Sequence, residues 1–63
     1  MKVRDVLRAL QDDGWEIRNI RGDHRNLRNP SNRHIITVPG RAGDEVPSGM
    51  LADIRRKSGL PLR

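Results

Sequence analysis

The chain has 63 residues, with thirteen Lys or Arg against eight Asp or Glu, one Trp and no Phe, Tyr or Cys. A chain this short buries only about 60% of its unfolded surface, so residues 1–63 are expected to form one domain around a thin aliphatic core. The lack of cysteine excludes a disulfide scaffold, a thiolate metal site and a cysteine nucleophile. No apolar run approaches the ~20 residues that span a bilayer, and the N-terminal segment has no apolar stretch of the kind found in secretory signals, so a soluble, cytoplasmic protein without membrane partners is expected.

Val3, Val6, Leu7 and Leu10 recur at helical spacing, which predicts an amphipathic helix over residues 2–13 that stops at Gly14. Trp15 to Ile20 alternates apolar and polar side chains until Ile20 breaks the pattern, which predicts a strand over 15–20 with one buried face. Arg21-Gly22-Asp23 is a turn signal. The next stretch, His24 to Arg28, reads as a second strand although Leu27 is its one apolar residue. Asn29-Pro30-Ser31-Asn32 is dense in turn formers and would return the chain as a hairpin into a β-branched strand over 34–38.

Pro39 to Gly43 reads as a loop. Apolar residues then resume helical spacing at Val46, Met50, Leu51 and Ile54, predicting a second helix that ends at Gly59. Asp44 and Ser48 are both candidate caps for its start, with Pro47 in the first turn. Leu60 is expected to fold back on the core, and Pro61 to Arg63 to fray. The resulting fold class is α+β, ordered α-β-β-β-α. Two helices would cover one face of a three-stranded antiparallel sheet, as in double-stranded-RNA-binding domains, and leave the other face free for a ligand or partner.

Eleven of the thirteen basic residues are Arg, whose planar fork of donors fits phosphate bidentately, so a polyanion is the favoured partner. No phosphate-binding glycine loop and no defensible metal-ligand spacing occurs, and no cofactor is expected. Ser31, Ser48 and Ser58 stand at turn or helix positions where capping accounts for them. Within Arg21-Gly22-Asp23-His24-Arg25-Asn26-Leu27-Arg28 one imidazole sits among three arginines. Such a ring can take the proton of a ribose 2′-hydroxyl or give one to the leaving oxygen, while guanidinium groups stabilise charge on the phosphate. A plain RNA contact is the competing reading of His24. His34, at the start of a β-branched strand, reads more simply as a half-buried surface residue. Asp23 is explained either as a turn former or as a group that orients His24. Arg55-Arg56-Lys57, in the last turn of the second helix, suits phosphate binding and helix-dipole compensation equally.

With these pieces in view, the sequence resembles the HicA family of toxin–antitoxin systems over nearly its whole length. Leu7-x-x-Leu10-x-x-x-Gly14-Trp15 is similar to the family's first helix and the Gly-Trp that follows it. Gly22-Asp23-His24 followed by Leu27-Arg28-Asn29-Pro30 is similar to its Gly-Ser-His stretch and Pro turn, and Val38-Pro39 to its strand-ending Val-Pro. Gly49-Met50-Leu51-x-x-Ile54-x-x-x-x-Gly59-Leu60 is similar to the closing helix. Asp23 stands where the family commonly has Ser or Thr, Arg25 and Asn26 replace a frequent second His and an apolar residue, and Gly40-Arg41 stands where a His is common. The resemblance implies an mRNA interferase that cuts RNA without a metal, with His24 as the catalytic residue and a HicB antitoxin as protein partner. RNA contacts are expected at Arg21, Gly22, Arg25 and Arg28, and at Arg55, Arg56 and Lys57. A non-catalytic RNA-binding module and a protein-interaction domain are the alternatives.

Overall fold

The computed structural model describes residues 1–63. Its elements run α1 (Val3–Asp12), β1 (Glu16–Arg21), β2 (His24–Asn29), β3 (Asn32–Val38) and α2 (Ser48–Ser58). The three strands form one antiparallel sheet in the order β1-β2-β3, which is the α-β-β-β-α arrangement expected from the pattern. Each helix contributes an apolar stripe, Val3, Val6 and Leu10 from α1 and Leu51 and Ile54 from α2. Both stripes join Leu27, Ile36 and Val38 of the sheet in a single core. Truncating one of these buried aliphatics would cost about 2–5 kcal/mol, a large share of the stability of so small a domain.

The strand with one apolar residue, β2, is the central one. Its backbone is paired on both sides and Leu27 is fully buried. Pairing with two neighbours, rather than its own composition, makes it a strand.

The expectation of a half-buried β1 is corrected. Every residue of β1 is exposed, and the buried anchor is Trp15, just before it. The helices' apolar side chains meet β2 and β3, so β1 is an edge that the core does not reach. The interrupted alternation at Ile20 has a structural cause. Ile17 pairs with Leu27 and Ile20 with Arg25, but the register shifts between Ile17 and Asn19. Arg18 is the extra residue of a β-bulge, which brings Ile20 back to the same sheet face as Ile17. A bulge flanked by charge also blunts an open edge against unwanted pairing.

Two further expectations change. Neither Asp44 nor Ser48 caps α2: the cap position is Pro47, without a side-chain hydrogen bond, and Ser48 is the first helical residue. Asp44 instead closes a turn by accepting the Arg41 N–H at 3.0 Å. That turn caps the other helix, because Val3 and Arg4 donate their N–H groups to the carbonyls of Asp44 (2.8 Å) and Ala42 (3.1 Å). Finally, the C-terminal segment is held. Leu62 is buried, and its carbonyl accepts Nη1 of Arg55 at 2.9 Å. Gly59 closes α2 at φ 76°, as expected of a left-handed cap, and Leu60 packs against the core.

Candidate nucleic-acid interface

Residues directly opposite in an antiparallel pair share a face, so the register sorts the site. Ile17, Ile20, Arg25, Leu27, Ile36 and Val38 face the helices. Asn19, Arg21, His24, Asn26 and Thr37 lie on the outer face, together with the cross-strand pair Glu16 and Arg28. Arg18, next to the inward Ile17, also faces outward, in a depression shared with Asn19, Asn26 and Arg28.

His24 opens β2 directly after the two-residue turn Gly22-Asp23, opposite Arg21. Gly22 takes φ 61°, the left-handed conformation that a tight hairpin turn needs at this position. The His24 side chain is 58% exposed, and its Nδ1 lies 3.1 Å from Oδ1 of Asp23, itself 55% exposed. Nε2 is therefore the nitrogen left to meet a ligand.

The arginines of the segment divide. Arg21 shares the outer face with His24, as does Arg28, four residues along the strand or about 13 Å away. Arg25 does not join them: it faces the core side, half-buried, and its Nη1 donates to the carbonyls of Gly40 at 2.7 Å and Asp23 at 3.3 Å. It ties the Asp23–His24 turn to the loop after β3. The second basic group stands apart as well. Asn32, at the far end of the sheet from His24, donates to the Lys57 carbonyl at 2.9 Å, which fixes the end of α2 there. Arg55 is engaged with the Leu62 carbonyl, and Arg56 and Lys57 both pair with Asp53. The hydrogen bond from Lys57 holds the Asp53 carboxyl below its ordinary value against the opposing effect of burial, with the charges of Lys57 and Arg56 adding to the lowering. All three side chains of this cluster thus have partners within the chain, and His34 also lies toward this end, exposed, with its backbone N–H donated to the Asn32 side chain at 2.8 Å.

A row of side chains that sequence reasoning passed over crosses the outer face beside His24. Thr37 Oγ1 donates to Asn26 Oδ1 at 2.6 Å, and Asn26 Nδ2 donates to Asn19 Oδ1 at 2.7 Å. The signal was the placement of three short polar residues at outward positions of three strands, legible only once the register is known. Asn29, read as a turn former, is also buried: it donates Nδ2 to the Asp13 carbonyl at 3.0 Å and accepts the Ser31 N–H at 2.9 Å.

The outer face thus presents an imidazole with a free nitrogen at one end, an amide row beside it, and unpaired guanidinium groups beyond. This arrangement can bind a phosphodiester chain and remove a proton from it. No helix of the chain is long and apolar enough to cross a membrane.

Comparison with known proteins agrees with the fold. The family model described as the HicA toxin of bacterial toxin–antitoxin systems matches residues 3–60. A solved structure of a HicA3 and HicB3 toxin-antitoxin complex contains a chain 30% identical to this one, with all of each chain covered and a TM-score of 0.85. A search of curated proteins gave no match. With the family model spanning all but the first two and last three residues, and the whole fold superimposing, the chain belongs to the HicA family of toxins.

Proposed function

We propose that this toxin is an endoribonuclease that cleaves mRNA in the cytoplasm without a metal cofactor, using His24 as general base. The observation that carries the reading is the exposed imidazole with Nδ1 against the Asp23 carboxylate and Nε2 open on an arginine-bearing sheet face. The carboxylate favours the neutral tautomer with its proton on Nδ1, which leaves a lone pair on Nε2. Nε2 takes the proton of a ribose 2′-hydroxyl, and the 2′-oxygen attacks the adjacent phosphorus. The bond from phosphorus to the 5′-oxygen breaks, that oxygen takes a proton from water, and the hydroxide left behind takes the proton from Nε2 and restores the neutral ring. The products are a 2′,3′-cyclic phosphate and a 5′-hydroxyl end. Arg21, opposite His24, lies where it can neutralise the charge that grows on the phosphate. Arg25 acts indirectly, by holding the turn. A HicB-like antitoxin is the proposed protein partner, a reading supported by the matched complex.

The test is incubation of purified protein with RNA in the presence of a chelator, with end analysis of the fragments. Cleavage leaving cyclic phosphate ends is expected. His24→Ala should lower the rate about 10²- to 10⁴-fold, the range general-base catalysis supplies, and abolish growth arrest while the circular dichroism spectrum and antitoxin binding persist. A His24→Ala protein as active as the parent would remove the ring from the mechanism.

A further inference from the structure

The bulge in β1 has a chemical effect as well as a packing one. It puts two successive side chains, Arg18 and Asn19, on the outer face and still keeps Ile20 on the inner one. There Arg18 and Arg28 line a cleft of about 310 Å³ with Glu16, Asn29, Pro30 and Asn32. They also line the adjoining depression, which reaches Asn19, Asn26 and Ile35. Arg25, Arg55 and Arg56 spend donors on partners within the chain, whereas Arg18 and Arg28 make no side-chain hydrogen bond or ion pair. Even Glu16, directly opposite Arg28, does not pair with it. Two guanidinium groups that line one cleft, with the Glu16 carboxylate there paired to neither, form a site for an external anion, and the fork geometry of each matches a phosphate.

Resting on the reading of His24 as the cleavage centre, we propose that Arg18 and Arg28 form a second phosphate subsite for single-stranded RNA. It would hold a backbone phosphate roughly two nucleotide steps from the scissile bond. Arg28 lies on the same face as His24 about 13 Å along β2, and the Asn19–Asn26–Thr37 row lies between them. A strand laid along β2 therefore passes from the imidazole across an amide row, which offers hydrogen bonds to ribose or base, to the arginine pair. The strand must be single because in-line attack needs a ribose-phosphate unit free to rotate, which a stacked duplex does not permit. The one Trp is buried, so no aromatic platform on this face stacks bases, and phosphate contact is left as the main source of affinity.

The test uses uncleavable 2′-O-methyl oligonucleotides, two and four nucleotides long, titrated by fluorescence anisotropy into the free toxin at several salt concentrations. Lengthening from two to four should raise affinity in the parent. That gain should vanish in Arg18→Gln and in Arg28→Gln, with four-nucleotide binding weakened about five- to tenfold and the log–log salt slope shallower by about 0.7 per arginine removed. Unchanged circular dichroism and thermal unfolding confirm that the variants are folded. Parental affinity and slope in both variants would overturn the subsite, and so would variants that bind RNA normally but lose the antitoxin, since the face would then be a protein-docking surface. Because these readouts need no turnover, the two readings fail separately. An active His24→Ala protein with weakened binding by Arg18→Gln would sink the mechanism alone; parental binding by Arg18→Gln with an inactive His24→Ala would sink the subsite alone.

Discussion

The two ends of β2 are built for opposite purposes. At the β2–β3 turn, asparagine side chains are spent on the fold: Asn29 binds the carbonyl that ends α1, and Asn32 binds the Lys57 carbonyl at the end of α2. At the β1–β2 turn, the side chains of Asp23 and His24 meet each other and solvent. Arg25 alone anchors that end, through the Gly40 carbonyl. The proposed chemistry and the stability are thereby divided along one strand of six residues, so the same kind of substitution should act on rate at one end and on folding at the other.

That division can be broken in order of effect. Asp23→Asn removes the charge that selects the His24 tautomer and should lower the cleavage rate about a hundredfold, roughly 2.7 kcal/mol of barrier. Its thermal midpoint should stay within a degree or so of the parent; an equal loss of stability would erase the contrast between the two ends. Asn29→Ala should do the reverse. It leaves the Asp13 carbonyl and the Ser31 N–H without their partner, costing about 2 kcal/mol, which lowers the melting temperature of a domain this size by about 10 °C in calorimetry. Cleavage measured well below that midpoint should be unchanged. Asn32→Ala loses the hydrogen bond to the Lys57 carbonyl at the sheet–helix joint and the exposed one from the His34 N–H, for about 1 kcal/mol and about half that shift.

The smallest effect concerns Asp53, on the α2 surface. Its pKa is lowered in the folded protein by Lys57 and Arg56, so its contribution is fully present above the ordinary carboxylate pKa and disappears as pH falls through the lowered one. Urea midpoints of the parent and Asp53→Asn should differ slightly at pH 7 and converge at strongly acidic pH. A difference that persists in acid would trace to packing instead of charge.

Much of the site was legible because its signals are local. The Gly22-Asp23-His24 turn and the arginines around it are contiguous, and a two-residue hairpin with Gly at φ 61° follows from that triplet. Contiguity also misled. Arg25 reads as a phosphate ligand beside His24, yet strand alternation sends it to the opposite face, where it binds Gly40. Arg18 is separated from the segment by the turn and reads as part of an ordinary strand. Only the pairing of β1 with β2 brings it into the same outer-face depression as Arg28.

The amino-acid order alone determined the five elements, the glycine stops at 14 and 59, the positions of both hairpins and the placing of an imidazole at a basic turn. Each depends on periodicity or conformational preference within a few residues. Tertiary structure alone decided that the core leaves β1 exposed, that Asn29 and Leu62 are buried, that the turn at 41–44 caps α1, and which arginines remain free. Those outcomes depend on pairing between residues far apart in the chain, where hydrogen-bond register and core coverage, not local preference, set each side chain's face.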